Sequence, residues 1–210
     1  MMDLPTLIAK YNSPTGNSQH VINRKTALKA KTYVEVLDCI KTNGVLPFDG
    51  KTPSVNHHFR NNFWYSCFQP DRNAVVRYQL KDELYKLLLA NPINKRTGVN
   101  TFEDVFTEVK TDLKTLEKKG IKGINGQLTI YDVSLYIGSF MDITPKNKVY
   151  IHRGAKVGAH KLGLTKTKSV DRILDFSDVI TMCPELITLG DADHIENFLC
   201  IAFNHDKIKQ

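Results

Sequence analysis

The sequence has no uninterrupted apolar run approaching the roughly 18 residues of a membrane-spanning helix. Its start, MMDLPTLIAKYNSPTG, carries no basic end followed by an apolar signal core. A cytoplasmic protein with no membrane partner is expected. Cysteine is sparse: Cys39, Cys67, Cys183 and Cys200 stand far apart with no CxxC pair, which argues against a zinc ribbon and a clustered four-cysteine iron–sulfur loop. In a reducing compartment such residues read as buried thiols. His57, His58, His152, His160, His194 and His205 include no HExxH pair, and no glycine loop carries Lys-Ser or Lys-Thr at Walker spacing. No serine lies in a GxSxG elbow. Metal-dependent, nucleotide-hydrolysing and serine-hydrolase classes therefore find no support, and neither metal nor cofactor is expected. There is also no internal repeat or low-complexity tract.

Acid is in short supply against base. Lysine and arginine number 29 against 22 aspartates and glutamates, a formal charge of +7. The imbalance is local: between Thr144 and Arg172 stand Lys146, Lys148, Arg153, Lys156, Lys161, Lys166, Lys168 and Arg172, with Asp171 the one acid. Such a stretch is either a solvated basic face or a surface that follows a phosphate backbone. The small residues among these cations, Gly154-Ala155 and Gly158-Ala159, would let a backbone approach closely.

An apolar share of 41 % over 210 residues supports one large domain or two small ones. The expected fold class is mainly α, in the α+β sense. Residues 1–25, turn-rich around Asn12-Ser13-Pro14-Thr15-Gly16-Asn17, read as an N-terminal arm or a loosely docked lead segment. Apolar spacing predicts a helix over 26–42 ending at Asn43-Gly44, a short extended piece from Val45, a strand from Ala74 to Leu80 and a helix from Asp82 to Ala90. Helix, turn, helix, strand and closing helix are the parts of a winged helix, so residues 26–91 are read as a winged-helix-like module. Within it Trp64, Tyr65 and Phe68 suit either a core or the stacking of unpaired bases, with His57, His58 and Arg60 beside them. Residues 92–100 read as a linker.

From residue 101 to 210 a helical module is expected. Phe102, Val105, Phe106, Val109, Leu113 and Leu116 predict an amphipathic helix over 101–119. Gly120, Gly123 and Gly126 then suit a tight hairpin, and Thr129 is placed to cap a second helix, with Asp132 close to completing a capping box. Exposed amides at such a helix start can hold a phosphate oxygen. Further helices are expected over 170–176 and 191–203, with a turn opened by Pro184.

The turn Ile124-Asn125-Gly126 followed by Thr129 resembles a helix-hairpin-helix element. The later segments Val149-Tyr150-Ile151-His152, Lys156-Val157 and Lys161-Leu162-Gly163-Leu164 resemble the stretch after the hairpin in base-excision DNA glycosylases of that superfamily, the endonuclease III-like proteins. The family reads Val-Asp-Thr-His, a basic residue, then Leu-Gly. This chain has Tyr150 where the catalytic aspartate belongs and Gln127 near the position of the lysine of bifunctional members. A phenol, with a pKa near 10, stays neutral at pH 7 and cannot offset positive charge developing on a sugar.

The resemblance, which covers roughly a fifth of the chain, implies the fold and a nucleic-acid partner, duplex DNA first, more than the reaction. The nucleic-acid contacts expected are Gly123, Asn125, Gly126, Gln127, Thr129, Lys146, Lys148, Arg153, Lys156 and Lys161. Should an enzyme be present, a glycosylase or lyase on damaged bases, its candidate groups are Asp132 or Asp142 for proton transfer, His152 at the family's histidine, and Lys156 as an amine nucleophile. A third reading is an accessory factor whose basic face meets an acidic protein partner.

Overall fold

Asp3 sets the first helix, its carboxylate accepting from the Thr6 amide at 2.8 Å with Pro5 in the first turn. This helix, α1 (Leu4–Asn12), opens a mainly helical chain, described in the computed structural model over residues 3–14, 16, 18–41, 46–47, 53–54, 73–120, 127–170 and 172–204. The remaining elements are α2 (Ser18–Lys29), α3 (Tyr33–Lys41), the two-residue strands β1 (Leu46–Pro47) and β2 (Pro53–Ser54), α4 (Asn73–Ala90) and α5 (Phe102–Lys118). After these come α6 (Gln127–Phe140), β3 (Lys148–Ile151), α7 (Arg153–Lys161), β4 (Arg172–Asp175), α8 (Phe176–Met182) and α9 (Ala192–Asn204). Short 3-10 turns lie at Ile93–Lys95 and Pro184–Leu189. The chain divides into one unit of residues 1–23 with 145–210 and a second of residues 24–144.

The first unit is built on α9. Ile195, Phe198 and Leu199 are fully buried in one core with Val149 and Ile151 of β3, Ala155 and Ala159 of α7, and Leu186 and Leu189 of the 3-10 turn. Leu7, Ile8 and Tyr11 of α1 join the same core, with the Tyr11 ring edge-on to Phe198 at 5.5 Å and its hydroxyl donating to Asn197 at 3.0 Å. Within the lead segment, residues 4–12 are a helix docked on this core. Each such side chain, buried, contributes about 1.5–3 kcal/mol, enough to hold a short helix that isolated chains would not keep. Predicted helix 170–176 is also corrected: Arg172–Asp175 pairs antiparallel with β3 in the register Ile151↔Arg172 to Lys148↔Asp175, and α8 starts only at Phe176. Four residues facing the β-branched and aromatic run Val149-Tyr150-Ile151 gain a ladder there.

In the second unit the single helix expected over 26–42 is two helices. Thr32 and Glu35 close a capping box, the Thr32 amide and hydroxyl donating to Glu35 at 2.7 and 2.8 Å, and α3 starts afresh at Tyr33. The predicted strand 74–80 lies inside α4. No glycine or proline separates it from the helix-forming run 81–90, so propagating one helix avoids the cost of a second nucleus. The wing strand of the expected module is thus not formed between 73 and 90.

The 92–100 segment is no free linker. Ile93 is fully buried, its amide donating to the Tyr33 hydroxyl at 3.2 Å, and the Arg96 guanidinium bonds Glu108, Asp112 and the Asn91 carbonyl at 2.6, 2.7 and 2.7 Å. The helix expected over 101–119 is present as α5, with a Thr101–Asp104 capping box, and packs on α6 through Phe102 and Tyr131, centroids 5.8 Å apart.

Candidate nucleic-acid interface

Two helices, α5 and α6, flank the expected hairpin, but Gly123, Asn125 and Gly126 lie outside the described residues, as do Trp64, Tyr65 and Phe68. Gln127 is the first residue of α6 and half-buried. Thr129, expected to cap, is the third residue of that helix and buried, and Asp132 is 2 % exposed in its interior face. The capping box between them is therefore not formed. α6 is apolar on nearly every side, with Ile130, Tyr131, Val133, Leu135, Tyr136 and Ile137 all buried, so its polar residues are carried inward with it. Asp142 sits just beyond α6 at φ 61°, its carboxylate paired with Lys29 at 2.7 Å on the surface.

The basic stretch belongs to the first unit. Its cations divide by environment. Lys148, on β3, is paired with the Asp175 carboxylate directly across the ladder. Lys156, on α7, is half-buried with Nζ 3.5 Å from the Ser169 carbonyl. Lys146 just before β3, Lys161 at the end of α7, Lys166 and Lys168 in the strap beyond it, and Arg172 on β4 are exposed. Among the described residues none of these five forms an ion pair with an acid. Lys161 lies over the Phe203 ring at 5.7 Å, a contact that holds the side chain without neutralising it. Arg153 is the first residue of α7.

The small residues of α7 do something other than expected. A Cβ built on Gly158 would lie 2.3 Å from the Leu199 carbonyl oxygen, and Ala155 and Ala159 are fully buried in the α9 core. Gly158, Ala155 and Ala159 serve the crossing of α7 over α9, not the approach of a phosphate backbone. At its end Gly163, at φ +74°, turns the chain into the strap. There His160 Nδ1 lies 3.1 Å from the Thr165 carbonyl, and the Ser169 hydroxyl donates to Thr167 at 3.2 Å.

Of the residues named for catalysis, Asp132 and His152 are buried and Lys156 is half-buried. Asp132 belongs to the second unit, and His152 and Lys156 to the first. His152 precedes α7 without capping it and is 2 % exposed, with Nδ1 3.5 Å from Glu196 Oε1, itself buried on α9. It is a core histidine facing a core carboxylate. Tyr150, at the position of the family aspartate, is also 2 % exposed within β3. Among the described residues no three His, Cys, Asp or Glu side chains are grouped to hold a metal ion. Lys166, Lys168 and Arg172 stand out more than the sequence reading allowed, which counted them in the basic stretch without naming them as contacts. The signal for the two lysines was the Thr165-Lys166-Thr167-Lys168-Ser169 run, which has no apolar residue to bury. No helix among the described residues is long and apolar enough to cross a membrane. No protein-family model matches the chain, and neither a curated protein nor a solved structure is similar enough to count as a relative.

Proposed function

We propose that the chain binds nucleic acid, duplex DNA in the first instance, through contacts to the phosphate backbone made by the Lys146–Arg172 stretch. The observation that carries this is the set of exposed cations without an acidic partner among the described residues: Lys146, Lys161, Lys166, Lys168 and Arg172. A protein surface ordinarily intersperses both signs. Here Lys146 precedes β3, Lys161 closes α7, Lys166 and Lys168 lie between α7 and β4, and Arg172 opens β4. Point charges on flexible stems recognise phosphate by charge, so the binding is expected to be salt-sensitive and nearly indifferent to sequence.

The resemblance to helix-hairpin-helix glycosylases agrees with a DNA partner but supplies no chemistry for base excision. A buried Tyr150 gives no carboxylate to a developing oxocarbenium ion. The test is fluorescence anisotropy of a labelled duplex between about 50 and 200 mM salt, a range over which several phosphate contacts cost orders of magnitude in affinity. Binding that weakens steeply with salt is expected. No binding at low salt overturns the reading. Incubation with uracil-containing duplex followed by alkali is expected to give no cleavage; cleavage lost in Lys156→Ala would favour a glycosylase or lyase instead.

A further inference from the structure

In the two-stranded pair of the first unit, β3 is buried and β4 is largely exposed. Tyr150 and its β3 neighbours Val149 and Ile151 are buried, whereas Arg172, Ile173 and Asp175 of β4 are exposed, Ile173 to 42 %. The Phe176 amide donates to the Asn147 carbonyl at 2.9 Å, continuing the ladder beyond Lys148↔Asp175. Bonded and non-bonded pairs alternate along an antiparallel ladder, so Leu174 and Arg172 bond across to β3. The backbone N–H and C=O of Ile173 then point away from it. Among the described residues no third strand takes them up.

We propose that the outer edge of β4 takes up an extended acidic peptide of a partner protein as a third strand. The backbone groups of Ile173 supply the register, and its exposed side chain offers an apolar cross-strand neighbour. Charge decides the occupant. Lys166 and Lys168, which precede β4 in the chain, and Arg172, which opens it, are exposed, while the Asp175 carboxylate at its far end is already paired with Lys148. Acidic side chains flanking an apolar one complement this row, and a basic peptide is repelled by it. Strand addition does not rest on the nucleic-acid reading, but the two ligands would compete for Lys168 and Arg172.

The probe is a labelled short peptide of alternating Glu and Val, titrated by anisotropy against the full chain with no nucleic acid present. Binding is expected. It should weaken at least about tenfold when Lys replaces Glu in the peptide, and roughly fivefold to tenfold when alternate peptide nitrogens are methylated, which removes backbone donors. Ile173→Pro deletes the outward N–H without touching a bond to β3, so it should weaken the peptide by a similar factor while leaving the circular dichroism and melting unchanged. If that variant unfolds, the methylated peptide against the native chain decides alone. No binding of the Glu-Val peptide, or equal affinity for the methylated one, overturns strand addition. Ile173→Pro weakening duplex DNA but not the peptide would assign the edge to nucleic acid and overturn the proposal equally.

Discussion

Single residues set the stability of each unit, and Arg96 shows how. Its guanidinium, 11 % exposed, forks onto Asp112, 10 % exposed, and onto Glu108. Burial pushes the Asp112 carboxyl above its ordinary range against the pull of the Arg96 fork, so removing the arginine leaves a buried carboxylate with its strongest partner gone. Arg96→Ala is expected to cost about 3 kcal/mol, read as a lower urea midpoint.

Cys183 makes a second case. Burial first, and then the Glu185 carboxylate, hold its thiol up to about 11, so alkylation of the native protein at pH 8 should run roughly a hundredfold slower at this residue than in denaturant. Mass spectrometry of the modified peptide reads it, and equal rates would contradict the assignment. The sequence reading of buried thiols holds for Cys39, Cys183 and Cys200, while Cys67 lies outside the described residues.

At the scale of elements, caps and crossings decide where helices begin and how closely they meet. The Asp104 carboxyl is held below its ordinary value by the Thr101 hydroxyl and then by the Asn100 and Thr101 amides. A carboxyl lowered in the fold contributes stability that is present above its unfolded pKa and lost as pH falls through the folded one. The stability gap between the native protein and Asp104→Asn should therefore be open at neutral pH and close below about pH 4, followed by denaturation at stepped pH. Gly158→Ala tests the α7–α9 crossing. Its Cβ would meet the Leu199 carbonyl oxygen at 2.3 Å and the Phe203 ring at 2.8 Å, a backbone clash expected to cost about 1–3 kcal/mol.

How much the sequence disclosed at this scale depends on the range of the forces involved. The amphipathic helix α5 was legible because its stripe from Phe102 to Leu116 repeats over several turns. The break between α2 and α3 was written in Thr32 and Glu35 but masked by apolar spacing that runs through it. β4 was not legible: Arg172-Ile173-Leu174-Asp175 has no alternation of its own, and only the facing β3 makes it a strand. Nor does spacing tell whether Gly158 admits a ligand or a neighbouring helix, since both need the same missing side chain.

For the molecule as a whole, charge is unevenly distributed along the first unit, and that is legible in the sequence. The eight cations of the Lys146–Arg172 stretch are followed by a run from Ile173 to Asn204 with no lysine or arginine. Structure then sorted the cations: Lys148 is spent on Asp175, and the strap and β4 carry the exposed charges. His152, Asp132 and Thr129, candidates by position in a motif, are buried instead, because a linear motif does not record which face of an element turns inward.

The central claim is that the exposed cations of the strap and β4 hold phosphates. Its most direct test is the slope of log affinity for a labelled duplex against log salt, compared between the native chain and the triple variant Lys166→Ala, Lys168→Ala, Arg172→Ala. These surface substitutions should leave the melting temperature close to native. Each lost contact is expected to flatten the slope by about 0.9, so a slope shallower by about two to three is predicted. A native slope near zero, or a triple variant with the native slope and affinity, would contradict the account.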